Sequence, residues 1–264
     1  MLDGYVITLI NHKPSVKAAE RLKQSVLETN SDINVATFKA TTPDQVELHI
    51  KSLFNPPVKW TYPYPKKSAD YHIHNPWFIE NGGARKDKDT NLRLTAYATA
   101  NPNARLACSL SHMRIWRECV YLDKPLVVFE HDALVTRQFL YTDFKQILDD
   151  DDVEVIGLNN PHNATFSPGL FDKIVKEQHQ STGKMFVDCP MITRPEVPQG
   201  LAGNSAYLIK PQGAKRLLQL TEQHGIWPND AIMCQQLMKP QSMKVVYPYI
   251  SKVQGTQSTT TAKF

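Results

Sequence analysis

The chain has 264 residues, 41% hydrophobic and 21% charged, with a net charge of +4, which is enough to bury a sizeable core and is not a disordered composition. It contains no run of eighteen apolar residues, and its first residues carry Asp3 beside too short an apolar stretch for a signal peptide, so a cytoplasmic location is expected. The widely spaced Cys108, Cys119, Cys189 and Cys234 form no CxxC pair, which excludes a zinc framework or a disulfide scaffold and reads as reduced, structural thiols.

"GYVITLI" reads as a short strand ending at Asn11, His12, Lys13 and Pro14. A helix follows from Ser15 to about Glu28, with Ala18, Ala19, Leu22, Val26 and Leu27 at helical spacing. "INVATFKA" is a second strand and "PDQVELHIKSLF" a second helix, the start of a βαβ sheet. Residues 55–103 then lack a steady period and read as a long insertion with little regular structure. From Lys59 to Arg105 there are eight Lys or Arg against four acids, so the whole net charge sits there, with Trp60, Tyr62, Tyr64, Tyr71, His72, His74 and Trp77 interleaved. Such a segment is either a polyanion contact surface or a solvated loop.

Residues 103–123 recover a helix, with Asn103 as its N-cap and Cys108 and Cys119, eleven apart, on one buried face. "PLVVFEHDALV" (125–135) follows as a buried strand ending in Glu130, His131 and Asp132. Charges at a strand end often only open a solvated loop. Glu130 and Asp132, two apart, would face one side of a continuing strand and form half a site for a hard divalent cation. "RQFLYTDFKQILDD" reads as a helix and "DVEVIGLN" as a strand; 161–203 holds two weak hairpin candidates and no clear helix beyond Leu170 to Glu177. "SAYLIK" is a strand, "PQGAKRLLQLTEQHG" and "PNDAIMCQQLM" are helices, and "MKVVYPYI" is a last strand. No internal repeat or linker demands a second domain, so 1–264 reads as one domain carrying the 55–103 insertion.

There is no GxxxxGK[ST], GxGxxG or GxSxG motif, so glycine-loop nucleotide binding and the usual hydrolase elbow are not supported. His112 is either a hydrogen-bonded helix boundary residue or a functional one. Asp230, in "WPND", is either a helix-capping carboxylate or a base in a polar cleft.

Four blocks in order, "ACSLSHMRIWRECV", "LVVFEHDA", "AGNSAYLIKPQGAKRLL" and "WPNDAIM", resemble glycosyltransferase family 25, the lipopolysaccharide and procollagen galactosyltransferases. The resemblance covers roughly residues 4–12 and 104–254. It implies an α/β, GT-A-like domain with a mixed, mostly parallel sheet flanked by helices. It also implies a UDP-sugar donor and a divalent cation, Mn2+ or Mg2+. The family strand ends in Glu-Asp-Asp, where this chain has Glu130, His131 and Asp132. Asp132 is then the first metal ligand, with Glu130 second and His131 a softer substitute. Thr8, Asn11, Ser111, His112, Glu130, Gly203, Asn204 and Ser205 are the implied donor-binding residues, and Asp230 the base of an inverting displacement.

The first expectation for the acceptor is DNA, with lipopolysaccharide as the alternative. The basic, aromatic insertion favours a hydroxymethylated base in DNA, hydroxymethylcytosine, because phosphate contacts would supply affinity and the base would leave the stack. The family favours a lipopolysaccharide core oligosaccharide. A third reading is a non-catalytic nucleic-acid or nucleotide-sugar binding module in which His131 marks a lost metal site.

Overall fold

The structure, a computed structural model, describes residues 1–63, 84–96, 101–162, 164 and 167–255. β1 (Leu2–Thr8), α1 (Lys13–Glu28) and β2 (Ile33–Lys39) form the expected opening unit, with the two strands parallel. A turn of 3-10 helix (Pro43–Gln45) and α2 (Val46–Leu53) follow, then β3 (Ala84–Lys86) and β4 (Arg93–Thr95). α3 (Pro102–Leu122) leads into β5 (Leu126–Glu130), β6 (Ala133–Val135), α4 (Tyr141–Leu148) and β7 (Val155–Gly157). The second half is α5 (Pro168–Thr182), β8 (Phe186–Asp188), β9 (Ala206–Ile209), α6 (Pro211–His224), α7 (Asn229–Ile232), β10 (Met243–Val246) and β11 (Ser251–Val253).

The central sheet has the order β2-β1-β5-β9-β7-β10-β8. β2, β1, β5, β7 and β10 run one way, and β9 and β8 run against them. Side chains alternate across the pleat, and each face packs its own core. From β5, Leu126 and Val128 join α3 and α6 on one face, while Val127 and Phe129 join α1 and α4 on the other. β5 is therefore buried on both sides, which is why it reads as an unbroken apolar run. No helix among the described residues is long and apolar enough to cross a membrane.

Several expectations need correction. The cap of α3 is Asn101, not Asn103: its Oδ1 accepts from the Asn103 and Ala104 amides at 3.0 and 3.3 Å, and Pro102 takes the first helical position where no N–H is needed. The insertion holds an antiparallel hairpin, β3 with β4. Its turn closes because the Asp87 carboxylate accepts from the Thr90 amide and hydroxyl while Asn91 adopts a left-handed conformation, φ 62°. In 161–203 there is no hairpin among the described residues; α5 runs longer than expected, to Thr182, and β8 pairs with β10 instead. The helix expected over 228–238 is one turn, because Met233 leaves helical geometry and the Gln235 amide bonds the Gln199 carbonyl. The two-stranded β6–β11 pair went unread because each strand is only three residues long.

That short α7 is packed against glycine backbone. A Cβ on Gly200 would lie 2.3 Å from the Met233 carbonyl oxygen and 3.2 Å from that of Asp230. Gly200→Ala is therefore expected to cost about 1–3 kcal/mol through overpacking against backbone that cannot rotate away. Urea denaturation reads the cost; an unchanged midpoint would mean that the turn gives way freely.

Candidate active site

In an open α/β sheet the crevice lies beyond the carboxyl ends of the parallel strands, where chain order reverses. Here that point lies between β1 and β5, since the chain goes from β1 outward to β2 and later returns to β5 on the other side. Thr8 and Glu130 stand at the ends of these neighbours, with Ile7 paired to Glu130. β9 runs antiparallel to β5, so the residues entering β9 meet the end of β5. The Glu130 amide donates to the Ser205 carbonyl at 2.8 Å. Strand register alone thus joins two sequence blocks far apart along the chain.

β5 does not continue past Glu130. The chain turns at His131 and Asp132, so the strand-alternation reason for placing both carboxylates on one side does not hold. They are nevertheless close enough to interact. Burial and the Glu130 charge push the Asp132 carboxyl up to about 7. Burial lowers His131 more than Glu130 raises it, so this imidazole is biased toward its neutral form.

Gln254 pins the turn. Its amide donates to the Asp132 carbonyl at 2.7 Å, and its side-chain Nε2 donates to the carbonyls of Ala18 and Ala133 at 2.9 and 2.7 Å. The Asp132 Oδ1, both polar side-chain atoms of Asn204 and the Ser205 Oγ are buried without a hydrogen-bond partner among the described residues. Buried polar atoms are almost always satisfied. Four such unpartnered atoms lie on the turn and on the segment facing it.

Glu130 has an internal partner. Its Oε1 lies 3.3 Å from the Nε2 of fully buried His112. The ligand atoms of Cys108, His112 and Glu130 all fall within 4.8 Å of one another. Burial and the Glu130 charge raise the Cys108 thiol, so it stays protonated, while burial pushes Cys119, Cys189 and Cys234 up to about 12. All four thiols are free, and a raised thiol holds less of the reactive thiolate.

Asp230, in the first turn of α7, is exposed at the surface, with protein packed around its carboxyl. Its carboxyl is raised by this desolvation and by Glu130, and Arg105 opposes the rise. Arg105, on the first turn of α3, was missed in the sequence because one basic residue in a basic segment carries no pattern.

The other predicted residues sit as follows. Thr8 is buried and donates its hydroxyl to the Val6 carbonyl. Asn11 is exposed in the turn after β1. Ser111 accepts from the Thr41 amide at 2.9 Å and donates to the Ala107 carbonyl, so its hydroxyl faces the loop after β2. Gly203 has φ +83°, and a Cβ there would lie 3.0 Å from the Asn159 side-chain Nδ2.

The start of the insertion is fastened beside Asp230. The Ile226 amide donates to the Lys59 carbonyl at 2.8 Å, and the Trp227 Nε1 donates to the Thr61 hydroxyl at 2.9 Å. Tyr62 is a core residue set edge-on to Trp227, and half-buried Trp60 packs against the same core. Tyr62 is therefore taken up in packing, and Trp60 in part, rather than both standing as open stacking surfaces. Tyr64, Tyr71, His72, His74 and Trp77 lie outside the described residues. A separate recess of about 440 Å3, lined by Asp152, Lys239 and Lys244 among others, opens at the amino ends of β7 and β10, on the opposite edge of the sheet.

No curated protein matches the chain in sequence. Among solved structures it is similar to mouse xyloside xylosyltransferase 1 in its apo form, with 10% identity over 92% of this chain and 83% of that one and a TM-score of 0.42. It is also similar to the galactosyltransferase LgtC in complex with donor and acceptor sugar analogues, with 11% identity over 93% and 73% and a TM-score of 0.39. An active-site mutant of LgtC is a third, at 8% identity over 98% and 88% with a TM-score of 0.42. The pattern of glycosyltransferase family 25 (LPS biosynthesis protein) matches residues 5–233. That span takes in the strand-end turn, the 203–205 segment and Asp230, and the chain belongs to glycosyltransferase family 25.

Proposed function

We propose that the chain transfers a sugar from a UDP-sugar to a hydroxyl of a phosphate-bearing saccharide of the lipopolysaccharide-core type. The carrying observation is the set of orphaned polar atoms on Asp132, Asn204 and Ser205 at the carboxyl end of β5.

The residues present fit a divalent cation. An unpartnered carboxylate oxygen and a neighbouring second carboxylate that raises it are a site short of positive charge. The carboxylates of Asp132 and Glu130 suit Mn2+ or Mg2+, and His131 is a softer neighbour; among the described residues the ligand atoms of these three do not gather as those of Cys108, His112 and Glu130 do, so Asp132 would be the ligand with the others beside it. Bound there, the cation supplies Lewis-acid stabilisation to the leaving diphosphate.

Asn204, Ser205 and the close backbone at Gly203 would hold the sugar and diphosphate, with Thr8 and Asn11 bordering the nucleotide. Ser111 acts at one remove, by holding Thr41, and His112 by orienting Glu130. Asp230 takes the proton of the attacking hydroxyl in one inverting displacement. Desolvation raises its basicity, and the Arg105 charge opposes that rise.

The basic insertion starts beside Asp230, which supports a polyanionic acceptor on that side. The same charge supports hydroxymethylated DNA as a second acceptor. It ranks behind because Tyr62, and Trp60 in part, are taken up in packing rather than offered to bases.

The test is a screen of UDP-sugars with Mn2+ against deacylated lipopolysaccharide and hydroxymethylcytosine DNA, read by mass spectrometry. A sugar-mass increment on the lipopolysaccharide is expected. An increment on DNA alone overturns the acceptor, and no UDP-sugar consumption with any acceptor overturns the enzyme.

A further inference from the structure

Behind Glu130 stands a buried chain of three side chains from two elements. The Trp116 Nε1 donates to the Tyr207 hydroxyl oxygen at 2.9 Å, that hydroxyl lies 2.9 Å from the His112 Nδ1, and the His112 Nε2 lies 3.3 Å from the Glu130 Oε1. Trp116 and His112 are four residues apart on α3, so they share a face, and Tyr207 reaches them from β9. All three are fully buried.

The proton positions follow from what each group can do. An indole N–H only donates, so Tyr207 accepts from Trp116 and its own proton needs another acceptor. Within reach is the His112 Nδ1. That nitrogen must then be bare, which puts the imidazole proton on Nε2, facing a carboxylate oxygen that needs a donor. The opposite tautomer would strand the Tyr207 proton in the core and set a bare Nε2 against Glu130. One arrangement satisfies every group, and buried polar networks settle in such arrangements.

We propose that Tyr207 is a positioning residue for sugar transfer: held by Trp116, it fixes the His112 tautomer whose Nε2–H orients the Glu130 carboxylate. Glu130 keeps its second oxygen free of hydrogen bonds among the described residues, available to the ligand. The role in transfer rests on the function proposed above; the proton assignment does not. Outer partners that orient ligating groups typically change activity or metal affinity 10- to 100-fold when removed.

The test combines 15N-histidine labelling with Tyr207→Phe, using His112→Asn to assign the signals. In the parent protein the His112 Nε2 should show a pyrrole-like 15N shift with an attached proton, and Nδ1 a pyridine-like shift. Tyr207→Phe should lose that single-tautomer signature, and kcat for UDP-sugar turnover should fall on the order of 10- to 100-fold. A purely structural Tyr207 would lower the melting temperature but leave the tautomer in place. A parent spectrum with the proton on Nδ1 overturns the proposal, as does a Tyr207→Phe protein that keeps both the Nε2–H signature and the parent kcat. If Tyr207→Phe does not fold, the parent spectrum still decides the assignment. A parent that consumes no UDP-sugar overturns the transferase reading instead, and the spectrum separates the two failures.

Discussion

Asp132→Asn is expected to abolish transfer while making the cation-free protein more stable above neutral pH. The two effects share one cause. In the folded chain, burial and the Glu130 charge push the Asp132 carboxyl up to about 7, against roughly 3.9 for an unfolded aspartate. Between those values the folded state binds more protons than the unfolded one, so stability falls as pH rises. The loss is complete above the folded value and absent below about pH 4. Asparagine carries no charge to desolvate. The variant should therefore gain on the order of 2 kcal/mol, roughly 5 °C in melting temperature, at pH 8 without divalent cation, and nothing at pH 4. Adding Mn2+ at pH 8 should raise the melting temperature of the parent and leave the variant where it was. Transfer should fall by about three orders of magnitude, the equivalent of several kcal/mol of transition-state stabilisation. Parent-like turnover with parent-like Mn2+ dependence would remove Asp132 from the centre.

His131 belongs to the same electrostatics. The resemblance implies an acid at this position, and the chain has an imidazole that burial biases toward its neutral form. The turn thus carries one negative charge fewer than a Glu-Asp-Asp turn would. Two crowded carboxylates already push one of them up, and a third would raise the cost of the cation-free state further. A neutral histidine relieves that crowding while retaining a nitrogen donor.

How much of this was legible depended on the range of the interaction. The double-sided burial of β5 shows as an apolar run, and the positive φ of Gly203 shows as a glycine before a strand. The meeting of 203–205 with Glu130 followed only from the resemblance, because antiparallel register between β5 and β9 leaves no local mark. The turn at His131 could not be told from a continuing strand, since alternation looks the same until the backbone bends. Tyr207 lies in a short apolar strand, and nothing local marks its hydroxyl as shared by Trp116 and His112. Gln254 holds the strand-end turn from the far end of the chain, which no periodicity reports. Trp60 and Tyr62 misled in the other direction: aromatics among basic residues resemble a binding surface, but these two pack on Trp227 and its neighbours.

Asp230→Asn should separate proton transfer from donor binding. The carboxyl is raised above the usual aspartate range by desolvation and by Glu130, with Arg105 opposing. A raised value makes a stronger base, provided the group is ionised at the working pH. In the parent, kcat should therefore rise with pH along an acid limb that lies above the ordinary carboxylate range. Removing the base should lower kcat by about 10²- to 10⁴-fold and abolish the part of that limb due to Asp230. Donor KM should change little, because the residues proposed to hold the nucleotide and sugar are elsewhere. Stability should not suffer: a folded carboxyl raised above its unfolded value costs stability at neutral pH, and asparagine removes that cost. The variant should keep the Mn2+-dependent rise in melting temperature that Asp132→Asn loses, since Asp230 stands outside the proposed ligand set. A variant within a few-fold of the parent kcat would shift the base to Glu130, whose charge already reaches Asp132, Asp230 and Cys108. Loss of the Mn2+ effect in both variants would instead make Asp230 part of the cation site, and the acceptor hydroxyl would need another base.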